Sequence, residues 1–365
     1  MDLFNSFLSL AVHLVIGVVL VIYLPLSVVW RLVHFAFVRP FLAEDLRGKV
    51  VLITGASSGI GEQLAYQYAK KGALLVLAAR REPALQMVAK KARENGAPDV
   101  LVVQADVSDR SESERAVGEA IAHFGKLNHL VVNAGIFSSC LFEEITNISA
   151  FNQVMDVNFW GSVYPTYYAI PHLRNSRGSI IMNASIAGRF PTARLSFYNA
   201  SKAAMIRFYE TLRSELGSDV KITILTPGYV ASELTKGKAL QKGGEFGFNE
   251  EVRDVQVGPL PVGYTKKCAE VIVDCARRGD EYVTWPSWYS PFHVVMCVAP
   301  ELVNWFSRTF YVTKPGDCPG NTLSRKILEM TRAKQFLYPP SILTQTSNLV
   351  MDGECGKKAL GPNRG

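Results

Sequence analysis

The stretch Val50-Val51-Leu52-Ile53-Thr54-Gly55-Ala56-Ser57-Ser58-Gly59-Ile60-Gly61 decides the fold of this chain. Its first half is a run of aliphatic and β-branched residues, a pattern typical of a buried parallel strand. The glycines then follow the spacing G-x-x-x-G-x-G, and a helix is predicted over residues 62–71. A strand that passes through a glycine loop into a helix is the first unit of a doubly wound α/β domain.

The glycine loop is predicted to bind phosphate. Gly55 permits the turn, Gly59 lets the backbone approach a pyrophosphate, and Gly61 allows the helix to pack closely on the strand. Unpaired N–H groups and the helix dipole make the start of the helix an anion site. The same pattern also suits a flavodoxin-like or other doubly wound domain. The predicted cofactor loop comprises Gly55, Ser57, Ser58, Gly59, Ile60 and Gly61.

The rest of the chain continues the alternation of strands and helices. This order predicts a parallel sheet with right-handed crossovers, an α/β doubly wound sheet of the Rossmann type. Residues 237–263, rich in glycine and charge, break the pattern and predict a loop or small lid. Further strands are predicted at 73–79, 100–106, 130–135, 179–183 and 220–225, with a helix at 83–94.

Composition limits the possible functions. The 365 residues are 48% hydrophobic and 19% charged, enough to bury the core of one large α/β domain. The net charge of +7 is spread along the chain without a nucleic-acid motif, so we expect no nucleic-acid partner. The six cysteines show neither C-x-x-C pairs nor metal-ligand spacing with histidine. They predict reduced thiols, a cytosolic environment and no metal.

The N-terminus predicts a membrane anchor. No Asp, Glu, Lys or Arg occurs from Leu3 to Trp30, a length sufficient to cross a bilayer. A cleaved signal peptide fits less well, because the run is too long and lacks a basic start. Basic residues after the run, such as Arg31 and Arg39, place the catalytic body in the cytosol. Alternatives are a hairpin in one leaflet, bent at Pro25 and Pro40, and a buried helix of a soluble protein.

The end of the second predicted strand selects the cofactor. An acidic side chain there would bind a ribose 2′-hydroxyl, whereas Arg80 and Arg81 offer charge to a 2′-phosphate. NADP(H) is therefore favoured over NAD(H), although two arginines at this point also suit a solvated loop. Asp106 and Val107 are predicted to meet the adenine. Small residues at the next strand end, Asn133, Ala134 and Gly135, are predicted on the cofactor-facing rim.

A tyrosine and a lysine carry the predicted chemistry. Tyr198 and Lys202 lie four residues apart, hence on one face of a helix. A phenol acting as acid or base near neutral pH needs its pKa lowered from about 10, and a neighbouring lysine together with a bound nicotinamide cation can supply this. A Tyr/Lys pair alone is common on solvated helices. Ser185, at a strand end upstream, can meet the same substrate oxygen, and Asn158 is predicted in a helix beside the sheet.

These motifs, in this order, resemble the classical short-chain dehydrogenase/reductase family over about residues 48–232. The resemblance implies that Tyr198 is the general acid/base and that Ser185 binds the substrate oxygen. It implies that Lys202 binds the nicotinamide ribose and that Asn158 holds a water for proton relay. The nicotinamide-side loop corresponds to Pro227 and Gly228, with Ser232 where the family more often has threonine.

A narrower resemblance is to steroleosins, the hydroxysteroid dehydrogenases of seed oil bodies. It rests on the apolar N-terminus with Pro25 and Pro40, on Arg80, and on residues 253–262. It implies an NADP(H)-dependent oxidoreductase that interconverts a secondary alcohol and a ketone on a sterol-like lipid. It also implies a lipid-droplet or endoplasmic-reticulum location, and the wider family implies a homodimer. Rival functions are a keto-lipid reductase (3-ketosphinganine or 3-ketoacyl) and a lipid-droplet surface protein that binds cofactor with little turnover.

The C-terminal part leaves two interpretations open. Trp285-Pro286-Ser287-Trp288-Tyr289 and the apolar residues 292–310 suit either a second membrane contact or helices packed on the core. The predicted organisation is an anchor at 1–45, a Rossmann short-chain dehydrogenase domain at 46–285, an apolar extension at 286–352 and a disordered tail at 353–365.

Overall fold

A computed structural model describes residues 1–33, 37, 43–313 and 317–343 of the chain. Arg39 and Pro40, which entered the predictions on topology and on the hairpin, lie outside the described residues. So does the predicted disordered tail at 353–365. The described residues form an α/β body with an N-terminal apolar helix and a C-terminal helical extension.

The body is built on a seven-stranded parallel sheet with the order β3-β2-β1-β4-β5-β6-β9. The predicted doubly wound sheet is confirmed, and the order reverses direction between β1 and β4. Two further strands, β7 and β8, form a separate antiparallel hairpin. In chain order the strands are β1 Val50–Thr54, β2 Leu74–Ala79, β3 Val100–Gln104, β4 His129–Val132, β5 Ser179–Asn183, β6 Lys221–Pro227, β7 Lys238–Leu240, β8 Phe246–Phe248 and β9 Tyr282–Trp285.

Helices cover both faces of the sheet. Alternate residues of β1 point to opposite faces, so Val51 and Ile53 pack in one core layer while Val50 and Leu52 pack in the other. The body helices are α3 Gly59–Ala69, α4 Glu82–Glu94, α5 Arg110–Phe124, α6 Asn152–Met155, α7 Gly161–Ser176, α8 Ser196–Leu216, α9 Glu250–Val257 and α10 Thr265–Arg278, which follow α1 Asp2–Val18 and α2 Leu24–Val33. A π-helical segment, Asp156–Trp160, joins α6 to α7.

The N-terminal segment is one helix, Asp2–Val33, long and apolar enough to cross a membrane, and none of it is buried. The alternative of a buried soluble helix is therefore wrong. The chain stays helical through Pro25, and the hairpin alternative, which also depends on Pro40 outside the described residues, stays a prediction. A π-helical turn, Val19–Tyr23, directly precedes α2. Such a turn adjusts the hydrogen-bond ladder just where proline removes a donor.

The predicted irregular segment at 237–263 is an ordered lid. It contains the β7–β8 hairpin and helix α9. The Asn249 side chain caps α9 by accepting hydrogen bonds from the backbone N–H groups of Glu251 and Val252. Several of the glycines that suggested an open loop, such as Gly243 and Gly244, lie in the turn between β7 and β8, whereas Gly247 lies within β8.

The C-terminal extension packs beside the lid and ends in short helices. A cysteine in it corrects one prediction: Cys318 is disulfide-bonded, whereas Cys140, Cys268 and Cys297 are free thiols. Which thiols meet depends on the fold, and spacing along the chain did not reveal it. The extension helices are α11 Ser290–Val298, α12 Pro300–Tyr311, α13 Leu323–Met330, α14 Lys334–Leu337 and α15 Pro340–Leu343.

Candidate active site

The glycine loop between β1 and α3 forms an uncapped helix start. Gly55 and Gly59 both have φ +64, a conformation that favours glycine. A side chain at Gly61 would collide with the carbonyl oxygen of Gly55, so the helix approaches the strand end closely. The N-cap residue Ser58 makes no capping hydrogen bond. The first N–H groups of α3 are thus available to an anion.

Arg80 and Arg81, which follow β2, differ in their surroundings. Arg80 is largely exposed, and its Nη1 lies 3.5 Å from Asp106 Oδ2. Arg81 is held at the glycine loop, where its Nη2 donates to Ser58 Oγ at 2.8 Å and to Ser57 Oγ at 3.2 Å. Both arginines line the same cleft as the glycine loop. Arg81 additionally forms an ion pair with Glu233 at 2.8 Å.

Asn133 joins the ends of three strands. Its Nδ2 donates to the carbonyl oxygen of Thr54 at 3.0 Å, and its Oδ1 accepts from Asn183 Nδ2 at 2.9 Å. Thr54 Oγ1 in turn accepts from the backbone N–H groups of Asn133 and Ala134. Beside them, a Cβ on Gly135 would lie 3.1 Å from Asn158 Oδ1. This network holds the floor of the cleft where the sheet changes direction.

Ser185, Tyr198 and Lys202 meet beside this floor. Tyr198 and Lys202 lie one turn apart on α8, with Lys202 Nζ 5.8 Å from the centroid of the Tyr198 ring. Ser185 starts the short turn Ile186–Gly188, which packs against α8 so tightly that a Cβ on Gly188 would lie 2.8 Å from the Lys202 backbone. Lys202 Nζ donates to the carbonyl oxygen of Asn183 at 3.2 Å. The turn that begins at Ser185 and the helix α8 thus bring the three groups together.

Burial is the largest influence on the pKa values of Tyr198 and Lys202. It raises the pKa of the Tyr198 phenol to about 12, and a hydrogen bond with Ser185 offsets part of that rise. Burial lowers the pKa of the Lys202 ammonium to about 8. The lowering of the phenol pKa expected from Lys202 together with a bound nicotinamide cation stays a prediction, and the chain alone does not produce it. The reason is that both groups are desolvated, which disfavours the charged form of each.

Asn158 lies behind the cleft, fully buried in the π-helical segment. Its Oδ1 accepts from the Ile136 N–H at 2.8 Å. Its Nδ2 donates to the carbonyl oxygen of Ile136 at 3.0 Å and to Ser201 Oγ at 2.9 Å. Because the amide is engaged in this way, Asn158 ties the loop after β4 to α8. Its role in a proton relay stays a prediction.

A cleft of ≈ 830 Å³ unites nearly all of the predicted site residues. Apart from Gly61 and Asn158, every one of them lines it, including Ile60, Val107, Pro227, Gly228 and Ser232. Sequence reasoning missed its second wall, formed by the lid and the extension. In the sequence, only the aromatic and apolar residues after Trp285 indicated that a further hydrophobic surface exists. Residues of that wall are Tyr229, Val252, Gln256, Leu260, Tyr289, Phe292, Val295, Leu302, Trp305, Phe306 and Tyr311.

The residues present fit a nicotinamide dinucleotide. The glycine cradle, the uncapped start of α3 and two arginines form an anion-binding end, and the Ser185, Tyr198 and Lys202 groups form a reactive end. Ser232 lies opposite the cradle, because a Cβ on Gly59 would be 3.4 Å from Ser232 Cβ. Within the described part of the chain, no group of three or more His, Cys, Asp or Glu side chains could hold a metal ion.

Fold and site together define a class of protein, and comparison with protein families agrees. The short chain dehydrogenase model matches residues 49–243. The chain therefore belongs to the short-chain dehydrogenase family and is an oxidoreductase whose fold binds a nicotinamide cofactor.

Individual relatives refine this class. The chain is 48% identical to 11-beta-hydroxysteroid dehydrogenase A of Arachis hypogaea, over 94% of this chain and 98% of that protein. It is 47% identical to 11-beta-hydroxysteroid dehydrogenase 1A of Arabidopsis thaliana, with the same coverage.

Solved structures extend the comparison to bound cofactors. An alcohol dehydrogenase from Thermococcus sibiricus, complexed with 5-hydroxy-NADP, is 26% identical, with a TM-score of 0.55 over 67% of this chain and 98% of that one. A short-chain dehydrogenase/reductase from Burkholderia phymatum, in complex with NAD, is 26% identical, with a TM-score of 0.63 over 71% and 96%. Both NADP-type and NAD ligands thus occur among similar structures.

Proposed function

We propose that this chain is a membrane-anchored, NADP(H)-dependent hydroxysteroid dehydrogenase. The observation that carries the proposal is the meeting of Ser185, Tyr198 and Lys202 beneath a wall of apolar and aromatic side chains. A polar reactive corner facing an apolar wall suits a lipid with one reacting oxygen. The curated plant relatives, named as hydroxysteroid dehydrogenases over nearly the whole chain, support the steroid class.

The preference for NADP(H) is supported by Arg80 and Arg81. Neither strand β2 nor the two residues after it offer a carboxylate to a ribose 2′-hydroxyl. Two guanidinium groups beside the phosphate loop suit a 2′-phosphate instead, since charge-assisted hydrogen bonds to phosphate are strong.

The chemistry assigned to the chain is proton transfer. When bound, NADPH supplies the hydride that reduces the substrate ketone. Tyr198, kept protonated by its raised pKa of about 12, donates its proton to the ketone oxygen. The Ser185 hydroxyl donates a hydrogen bond to the same oxygen as negative charge develops. The Lys202 ammonium, held by the Asn183 carbonyl, stabilises the phenolate that remains.

We further propose that the extension contacts the membrane surface. Residues of α11 and α12 line the cleft, yet Val294, Val298, Leu302 and Trp305 of the same helices are more than half exposed. An apolar rim beside the cleft, on a chain with an apolar N-terminal helix, would let a lipid enter from the leaflet. A lipid-droplet or endoplasmic-reticulum surface and a homodimer remain part of this proposal.

The test is turnover by the purified full chain in detergent. Ketosteroids and hydroxysteroids are assayed with NADPH or NADP⁺ and in parallel with NADH or NAD⁺, beside ketosphinganine and a long-chain ketoacyl thioester. The proposal expects turnover of steroids with NADP(H) preferred. Turnover of the two keto-lipids alone would show that the substrate is a keto-lipid and not a steroid. Cofactor binding without turnover of any substrate would contradict the proposal that the chain is an enzyme.

A further inference from the structure

Gln256 is a buried amide in the wall that the lid and the extension form along the cleft. It lies on the lid helix α9, is 1% exposed and lines the cleft. Its Nε2 donates to the carbonyl oxygen of Ala193 at 3.4 Å. A carbonyl oxygen can only accept, so the amide nitrogen must face Ala193 and the amide oxygen must point away from it. Gln256 Oε1 has no hydrogen-bond partner among the described residues.

The position of Gln256 is held from several sides. The Tyr229 hydroxyl donates to the backbone carbonyl oxygen of Gln256 at 2.6 Å. Ala193, which faces the Gln256 amide, also donates its N–H to Ser307 Oγ of α12 at 2.7 Å. The lid helix, the loop before α8 and the extension therefore meet at this amide. Its unpaired oxygen is a fixed feature of the wall.

A buried acceptor without a donor loses its hydration and gains nothing in return, so such atoms are rare in folded proteins. Val257 and Leu260, which follow Gln256 along the chain and also line the cleft, offer no donor, and none of the donors in the lining is hydrogen-bonded to Gln256 Oε1. In a mostly apolar site, an unpaired acceptor of this kind helps to decide which ligand group can lie beside it. A hydroxyl group can donate to it, whereas a ketone oxygen or a methyl group cannot.

We propose that Gln256 Oε1 accepts a hydrogen bond from a second oxygen function of the substrate, a hydroxyl distinct from the group that reacts at Tyr198. The substrate class is then a steroid-like lipid with two oxygen functions. Gln256 is a specificity-determining residue that orients the ring system in the cleft. This inference rests on the proposed function for its reaction, but the contact itself is a binding contact that can be measured without turnover.

The experiment compares ligands that differ only by the second hydroxyl. The probes are epiandrosterone, a ketosteroid with a hydroxyl at the opposite end of its rings, and dihydrotestosterone, in which ketone and hydroxyl exchange ends. Each is paired with its deoxy analogue, which keeps the ketone alone. Binding to the full chain in detergent is read by quenching of tryptophan fluorescence, since Trp288 and Trp305 line the cleft. Turnover of the same four ligands with NADPH is measured in parallel.

The variant is Gln256→Met, which keeps the length of the side chain and removes the acceptor oxygen. The matched control is Gln67→Met, because Gln67 is also buried with an unpaired amide atom but does not line the cleft. We expect the wild-type chain to bind at least one hydroxylated ligand roughly tenfold more tightly than its deoxy analogue. Gln256→Met should abolish that preference and leave binding of the deoxy analogue within about twofold. The control should keep the preference.

The outcomes separate this inference from the proposed function. Equal binding of hydroxylated and deoxy ligands by the wild-type chain, or an unchanged preference in Gln256→Met, overturns the inference even where steroids are turned over. A preference lost only in Gln256→Met supports it even where no steroid reacts, and then the proposed reaction alone fails. Absence of binding for all four ligands contradicts both. Melting temperatures of the two variants show whether either has failed to fold.

Discussion

Arg81 Nη1 lies 2.8 Å from Glu233 Oε1, so the residue beside the phosphate loop is paired with the segment that leads into the lid. Glu233 also accepts from Lys238 Nζ of β7 at 2.7 Å, and these contacts help to lower the pKa of its carboxyl group. A cofactor 2′-phosphate would compete with this carboxylate for Arg81. Under the proposed preference for NADP(H), this ion pair would link cofactor binding to the position of the lid.

We expect Glu233→Gln to tighten binding of NADP⁺ several-fold and to change NAD⁺ binding little. The variant removes the competitor for Arg81 while keeping the shape of the side chain. Isothermal titration with both cofactors measures this. The control is Glu245→Gln, which removes an exposed charge from the lid hairpin away from Arg81. Weaker NADP⁺ binding in Glu233→Gln would contradict the competition.

Arg80→Ala should weaken NADP⁺ binding much more than NAD⁺ binding. Loss of a charge-assisted contact to phosphate costs about 1.5–3 kcal/mol, or roughly ten- to a hundredfold in affinity. The same titrations apply, with Lys90→Ala on the exposed side of α4 as a control for net charge. Equal losses for the two cofactors would show that Arg80 merely begins a solvated loop.

Lys202→Met should stabilise the cofactor-free protein near neutral pH. The pKa of Lys202 falls from 10.5 to about 8 on folding, so the folded state binds fewer protons between these values and wild-type stability rises there with pH. Below about pH 8 the buried Lys202 ammonium is charged in the folded state. Its desolvation there lowers the free energy of unfolding by up to roughly 3 kcal/mol. Melting temperatures compared near neutral pH and at about pH 10 should show a gain that shrinks at the higher pH. If Lys202→Met raises the melting temperature equally at both pH values, the charge of Lys202 is not the cause of the stabilisation.

Deletion of residues 1–33 should release the chain from carbonate-washed membranes, because it removes the unburied apolar helix. Any residual binding of the deletion variant to liposomes should be lost on Val298→Glu or Trp305→Glu, which place charge on the exposed face of the extension. Met87→Glu, at an exposed apolar residue of α4, is the matched control. If the deletion variant resists the carbonate wash, the extension itself is an anchor.

Much of the fold was predictable because its signals are local. Aliphatic runs such as residues 50–54 are typical of buried parallel strands, and Tyr198 and Lys202 share a helix face by their spacing. Strand β9, Tyr282–Trp285, was missed because it is four residues long and passes into an aromatic segment that resembled a surface contact. Its position beside β6 is set by tertiary pairing, to which local propensity is only a weak guide.

The second wall of the cleft could not be predicted for a similar reason. Gln256 and Tyr311 lie on separate helices, and nothing periodic in the sequence marks their approach to Tyr198. The pKa values of the Tyr198 and Lys202 side chains also depended on the fold. The spacing of Tyr198 and Lys202 suggested mutual stabilisation of charge, but the depth at which both are buried makes desolvation the larger effect.

The most direct test of the proposed function is Tyr198→Phe, assayed for NADPH-dependent reduction of a ketosteroid by the full chain. The phenylalanine ring can keep the edge-to-face contact with Phe137, whose centroid lies 5.0 Å from that of Tyr198, so cofactor binding should be retained. Only the proton donor is lost, and general acid catalysis contributes about 10²–10⁴-fold to rate. We predict that turnover falls at least a hundredfold with unchanged NADPH affinity. A variant that keeps more than about a tenth of the wild-type rate would contradict the role of Tyr198.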